Sequence, residues 1–327
     1  MNSVIILSRI AVFGWKRTVT VFLSCMLLAI SACETDGQGG VTDEEAPVDE
    51  AKIDSAVGAG DVAESGKPFC LELASARDRL LLGEPLTLMV TLRNCSDEVM
   101  TVRDLLSPEY GLLGIRIGHA QYEQEKTYYP LVRRDGRGRG NVELDAGEML
   151  AATVPVYFGR DGWQLDVPGI YTFQADYFVD EISLTSNAVS VNVENPQREA
   201  DLTAAQALMS ASAATFYFLG GGDEKGADEL RALVAELPDS AWAAYAKLGL
   251  AIDSANDRDS SSRAQACRSL EAALEEIEQD WIIALRGYET LSRCLQESGL
   301  ESEVSRVTAD FVSRHPRAEA TLRARKN

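Results

Sequence analysis

The pattern of apolar and polar positions changes three times along the chain. Residues 4–15 and 18–33 are dominated by apolar side chains, with Lys16 and Arg17 between them. The second run falls short of the ~20 residues that a membrane-spanning helix needs. From 34 to 67 the apolar pattern vanishes, and ten acidic residues stand among Gly, Ala and Ser with no aromatic side chain. Such a stretch cannot bury enough apolar surface to offset its ordering entropy, so a disordered, self-repelling tether is expected there. At Pro68 a period of two sets in. Leu86, Leu88, Val90 and Leu92 alternate with Thr87, Met89, Thr91 and Arg93, and Asn94 with Ser96-Asp97 then makes a turn. Comparable runs occupy 69–73, 99–102, 113–117, 142–144, 150–158, 170–178 and 188–193, separated by Gly, Pro, Asp and Asn. Short strands without an intervening helical pattern predict an antiparallel β-sandwich over 68–196. After Asn195-Pro196 the period becomes helical through residue 327, punctuated at Leu237-Pro238-Asp239-Ser240 and His315-Pro316. A tight turn near Asp280-Trp281 is expected to lay helix 263–277 antiparallel to helix 281–297.

Several short motifs sharpen this reading. Ile30-Ser31-Ala32-Cys33 closes the N-terminal apolar run and resembles the lipobox of bacterial lipoproteins: an aliphatic residue, two small ones, then cysteine. The resemblance implies a signal peptide over 1–32, cleavage before Cys33, and acyl chains, palmitate among them, on that residue. Glu34 follows, whereas the family's inner-membrane retention signal is Asp, so the resemblance implies the outer membrane, facing the periplasm. Val167-Pro168-Gly169-Ile170-Tyr171-Thr172-Phe173 resembles the tyrosine corner of immunoglobulin-like and fibronectin-like domains, in which the hydroxyl bonds upstream backbone. In the helical part, Tyr288, Leu291, Ser292, Leu295, Gly299, Val304, Thr308, Phe311 and Pro316 resemble a tetratricopeptide repeat. A second unit reads Ala213, Ala214, Tyr217, Gly221, Leu230, Leu233 and Pro238. A third, with Tyr245, Leu248, Gly249, Ala266, Leu270 and Ala273, needs an insertion around 257–262 and lacks the closing proline. The expected fold is therefore a multidomain β plus α chain: an immunoglobulin-like antiparallel sandwich (68–196) followed by tetratricopeptide-like α-helical repeats (197–327). An irregular helical bundle is the alternative for the second part.

Six cysteines divide among these segments. Cys25 lies in the cleaved segment and Cys33 is the acyl acceptor, which leaves Cys70, Cys95, Cys267 and Cys294. An even remainder in an exported chain suggests two disulfides. Cys70 and Cys95 flank Gly83 and Cys267 and Cys294 flank Asp280-Trp281 at nearly equal distances, so each pair would meet across its own hairpin. Four unpaired buried thiols are the alternative.

Charge and the absence of motifs narrow the chemistry. The net charge is −20, and removing Arg9, Lys16 and Arg17 with the signal peptide takes it to about −23. Such a chain is repelled by nucleic acid and by anionic headgroups, so membrane attachment falls to the acyl chains. Two histidines, His119 and His315, lie in different parts of the chain, and no GxSxG, HExxH, Walker A or Rossmann fingerprint occurs. No cofactor or metal ligand set is expected. The Gly220-Gly221-Gly222 run precedes a helix but lacks a Gly-Lys-Ser/Thr sequel, and reads as a repeat turn.

Two groups of residues are candidates for binding. In the loop 128–140, Tyr128, Tyr129, Arg133, Arg134, Arg137 and Arg139 gather in an otherwise acidic protein. They could clamp an anionic glycan or a carboxylate, or simply be solvated. By the repeat resemblance, Arg286, Glu289, Arg293 and Gln296 would line the groove in which such repeats bind peptides, with Arg286 and Arg293 holding a carboxylate. The function expected first is a non-catalytic envelope lipoprotein that binds a partner protein or extended peptide through its repeats. A glycan- or peptidoglycan-binding lipoprotein using the Arg/Tyr loop comes second, and an enzyme with unrecognised carboxylate chemistry third.

Overall fold

A computed structural model describes residues 68–135, 140–179, 182–257, 262–277 and 280–324. The apolar N-terminal run, Cys33, the acidic stretch to residue 67, Arg137 and Arg139 lie outside them. The described residues fall within one compact unit.

Strands come first. Their order is β1 (Phe69–Ser75), β2 (Arg79–Leu81), β3 (Thr87–Asn94), β4 (Met100–Arg103), β5 (Leu113–His119), β6 (Lys126–Thr127) and β7 (Asn141–Leu144). They continue as β8 (Met149–Pro155), β9 (Phe158–Gly159), β10 (Gly162–Trp163), β11 (Gly169–Val179), β12 (Ile182–Thr185) and β13 (Val189–Glu194). One sheet has the order β1-β3-β8, and a second runs β2-β13-β11-β5-β6 with β12 on β11. Registers such as Leu71↔Leu92 and Leu92↔Leu150 put the alternate apolar residues of neighbouring strands on one face. Those faces and the matching face of the second sheet, with Ile115, Tyr171, Phe173 and Val191, belong to one core.

Two departures from the expected antiparallel pattern have local causes. β2 pairs with β13 in parallel, Arg79 opposite Asn192. The chain leaves the first sheet after Ser75, crosses to the second for three residues, and returns at Thr87. The single strand expected over 150–158 stops at Pro155, because Val156 and Tyr157 turn inward to the core before β9 and β10 form a small separate pair. Local chemistry secures other corners. The buried Asn94 side chain accepts from the Ser96 amide at 2.9 Å and donates to the carbonyls of Glu98 (2.7 Å) and Leu144 (2.9 Å). The Tyr171 hydroxyl donates to the Val167 carbonyl at 2.9 Å. Burial pushes that phenol up to about 12, against the opposing effect of the Val167 backbone.

Eight helices follow among the described residues: α1 (Glu199–Met209), α2 (Ala211–Leu219), α3 (Glu224–Glu236), α4 (Ala241–Asn256), α5 (Arg263–Glu276), α6 (Trp281–Glu297), α7 (Glu301–Arg314) and α8 (Pro316–Ala324). Their boundaries follow from capping chemistry. Ser210, Ser240 and Asp280 each accept from the amide three residues on, satisfying a first-turn donor of α2, α4 and α6. Gly220 ends α2 in the left-handed conformation (φ +76°), and Pro238 stands just past the end of α3. Successive helices from α2 to α8 pack on one another. Close approach is secured by small residues: a Cβ on Gly249 would lie 2.7 Å from the Tyr217 ring. Among the described residues no single helix is long and apolar enough to cross a membrane.

Each part carries a disulfide. Cys70 in β1 is bonded to Cys95 just past β3, and Cys267 in α5 to Cys294 in α6, each pair with Cα atoms 5.9 Å apart. The bond in the helical part closes the α5–α6 hairpin, where the Asp280 amide donates to the Ile277 carbonyl at 3.0 Å.

Candidate functional site

The strands dock on alternate helices. From α2, Phe218 packs its ring 5.9 Å from Tyr157 and 6.2 Å from Phe158. From α4, the fully buried Trp242 donates its indole N–H to the Leu82 carbonyl at 3.1 Å. α6 packs on β3, and α8 packs on β8 and brings Thr321 against Met89. α1 meets the β2–β3 turn, where Gly83 adopts φ +82° and an added Cβ would lie 2.9 Å from the Ala205 Cβ. This seam buries the outward face of β3, namely Thr87 and Met89, which alternation alone assigns to solvent.

A polar cluster sits inside the seam. Arg77, between β1 and β2, donates to Glu84 Oε2 (2.9 Å) and to the Tyr245 hydroxyl of α4 (2.9 Å). Glu84 Oε2 also accepts from the Leu81 amide at 2.7 Å. Asp280, the N-cap of α6, accepts from the Ile283 amide at 3.2 Å. Glu84 and Asp280 are both buried, 5% and 3% exposed. Burial pushes the Tyr245 phenol far up, with Glu84 adding to the effect.

Where strands and helices diverge, a cleft of about 630 Å³ opens. One wall is six consecutive residues of β8, Leu150 to Pro155. At ~3.3 Å per residue that wall is roughly 17–20 Å long, so the cleft is elongated. The lining also includes the short 3₁₀ turn Pro108–Tyr110, Tyr128, Pro130 and Arg134, with Phe218 of α2 and Glu289 of α6.

The candidate residues fare differently in this setting. Tyr128 is buried, its hydroxyl shared between the carbonyls of Pro155 (2.8 Å) and Phe158 (2.9 Å), and burial pushes its phenol far up. It is a wall, anchored in the core. Arg134 is ion-paired with the Glu109 carboxylate, and its amide donates to the Glu109 carbonyl at 2.9 Å, so the loop is pinned to the 3₁₀ turn. Tyr129 is 40% exposed with the Arg160 guanidinium 5.0 Å from its ring centre, and Arg133 is exposed. The loop side chains that are described therefore split between core, ion pair and surface.

Arg286 and Arg293, expected to hold a peptide carboxylate, each donate to a group on another helix of this chain. Arg286 is half-buried at the seam and donates to the Phe218 carbonyl at 2.7 Å. Arg293 is exposed and donates to Asn256 Oδ1 at 2.7 Å, while Asn256 donates to the Gly220 carbonyl at 3.3 Å. Arg286 thus sits at the C-terminal end of α2, where unsatisfied carbonyls and the helix dipole favour positive charge, and Arg293 is linked to that end through Asn256, the last residue of α4. Glu289 and Gln296 are exposed, and Glu289 lines the cleft.

Sequence reasoning missed Trp242, Tyr157 and Glu84, and read Asp280 only as a turn residue. A Met at an outward strand position and a Trp-Ala-Ala-Tyr stretch opening a helix were the available signals. Both read equally well as ordinary packing within one part. Among the described residues no group of three or more His, Cys, Asp or Glu is placed to hold a metal ion.

Known proteins add little. No protein family matches the sequence, and none of the curated proteins resembles it closely enough to align. Among solved structures, a β-glucosidase from Erythrobacter marinus superposes with a TM-score of 0.24 at 16% identity, over 38% of this chain and 15% of that one. The CARDB domain of PF1109 from Pyrococcus furiosus gives 0.21 at 13% identity, over 38% and 87%. Spo0M, a sporulation control protein from Bacillus subtilis, gives 0.24 at 15% identity, over 43% and 56%. Likenesses this slight carry no argument about activity.

Proposed function

We propose that the protein is a non-catalytic, lipid-anchored envelope protein that holds an extended segment of a partner protein in the cleft along β8. In this reading the strands form an immunoglobulin-like sandwich with a tyrosine corner at Tyr171. The helices are three tetratricopeptide-like pairs, α2–α3, α4–α5 and α6–α7, closed by α8. Acyl chains on Cys33 provide the attachment. The observation that supports a binding role is the cleft itself: its lining follows six consecutive residues of β8, a length that suits an extended chain better than a compact molecule. The inner helix faces, where such repeats bind peptides, are covered by the protein's own strands, so the remaining opening is the place for a partner.

Site-specific photocrosslinking in intact cells tests this. A crosslinker at Thr153 in the cleft is expected to yield a discrete protein adduct that disappears in the Glu289→Trp background. The same crosslinker at Asp310 on α7 yields none. Equal labelling from both positions, or a Thr153 adduct indifferent to Glu289→Trp, overturns the reading. Binding of an isolated glycan that depends on Arg133 and Arg134 would favour the Arg/Tyr loop as a glycan site instead.

A further inference from the structure

The seam contains two buried carboxylates and one guanidinium, contributed by segments distant in sequence. Glu84 belongs to the β2–β3 turn and Arg77 to the β1–β2 connection. Tyr245 comes from α4, and Asp280 opens α6. With both carboxylates ionised the group holds one uncompensated negative charge away from water. Of the two, Glu84 has the guanidinium and an amide on one oxygen. Asp280 is held by the first-turn amides of α6, with the Ile283 N–H at 3.2 Å, and feels Arg77 only through space while Glu84 opposes it. A buried carboxylate with no opposite charge in contact among the described residues is costly, and the cheapest relief is a proton.

We propose that the Arg77–Glu84–Tyr245–Asp280 cluster is a proton-binding site at Asp280, and that mild acidification tightens the docking of the strands on α4 and α6. The groups facing Asp280 from the packed elements are Arg77 and Glu84 of the β part, Tyr217 of α2, Tyr245 of α4, and the Ile282 and Ile283 amides of its own helix. Burial, reinforced by Glu84 and opposed by the amides and Arg77, pushes the Asp280 carboxyl from 3.8 up to about 6. The folded state therefore holds a proton that the unfolded chain has already released between about pH 4 and pH 6. Stability consequently rises as pH falls through that window and is flat above it.

Two measurements on the full chain decide it. The first is thermal unfolding of wild type and Asp280→Asn from pH 7.5 to 5.0. Asn keeps the cap, since it ranks with Asp at that position, but cannot titrate. Wild type is expected to gain about 4 °C more than the variant over this range. The subtraction removes the contribution of every other carboxylate in this acidic protein. Parallel curves overturn the proposal. The second needs no variant: the ¹³C resonance of the Asp280 carboxyl should titrate with a midpoint near 6, and the protection factor of the Trp242 indole N–H should rise over the same range. A midpoint near 4, or Trp242 protection that does not follow the titration, overturns it even if Asp280→Asn fails to fold.

Discussion

The seam and the cleft are two stretches of one boundary between strands and helices, built on opposite principles. In the seam, aromatic rings from both sides interlock, and the Trp242 indole and the Arg77 guanidinium find acceptors across it. In the cleft, α2 and α6 contribute Phe218 and Glu289 to a lining that they share with β8. The difference teaches that tight docking in one stretch is what holds the other open. A hinge between strands and helices would let the cleft collapse or widen. A boundary fixed at Trp242, Tyr245, Tyr157 and Phe218 keeps its walls at a set distance.

Substitutions can break this contrast. The largest effect is expected for Trp242→Ala, which empties a fully buried site at the seam and removes a cross-boundary hydrogen bond. A loss of about 3–5 kcal/mol is expected in urea unfolding. Far-UV circular dichroism and near-UV signals should move together, because strands and helices share one core. Two separated transitions in the wild-type protein would show that the seam is weaker than its packing implies.

Next comes Cys294→Ser. The bridge to Cys267 spans 27 positions within the helical part alone. On the chain-entropy account its removal costs about 3.5 kcal/mol. With the seam intact the loss should lower a single transition rather than melt the helices alone, and comparing urea midpoints by circular dichroism and by the tyrosine signal of the strands checks it.

The smallest effects sharpen the contrast from the other side. Glu289→Ala alters an exposed residue that lines the cleft and should change stability by less than about 0.5 kcal/mol while weakening partner capture. Tyr157→Phe reports on an unsatisfied group in the seam. Its hydroxyl is fully buried and has no partner in hydrogen-bond geometry, although the Arg286 guanidinium partly offsets the burial that pushes it up to about 12. Removing it should be neutral or raise the melting temperature slightly, since an unsatisfied buried hydroxyl costs stability. A marked loss would mean that Arg286 does bond it in solution.

Much of this molecule is legible in its sequence, and the legible part is local. The eight strand runs, the switch from period two to helical period at Asn195-Pro196, and the α5–α6 turn at Asp280 depend on neighbours a few residues away. Alternation, proline and capping chemistry record such neighbours directly. The spacing of cysteines about two hairpin turns is local in the same sense, and both pairs are bonded in the structure. The tertiary structure alone decided which faces meet. Thr87 and Met89 occupy outward strand positions, Arg286 and Arg293 occupy exposed-looking helix positions, and nothing within ten residues of any of them announces a partner. Thr87 and Met89 are covered by helices more than a hundred residues away, and Arg286 and Arg293 find their partners on other helices, at Phe218 and Asn256. The cost of burying Glu84 and Asp280 likewise exists only once that docking has taken place. A periodic pattern states that a face is apolar or polar; the identity of what covers it is a property of the packed chain.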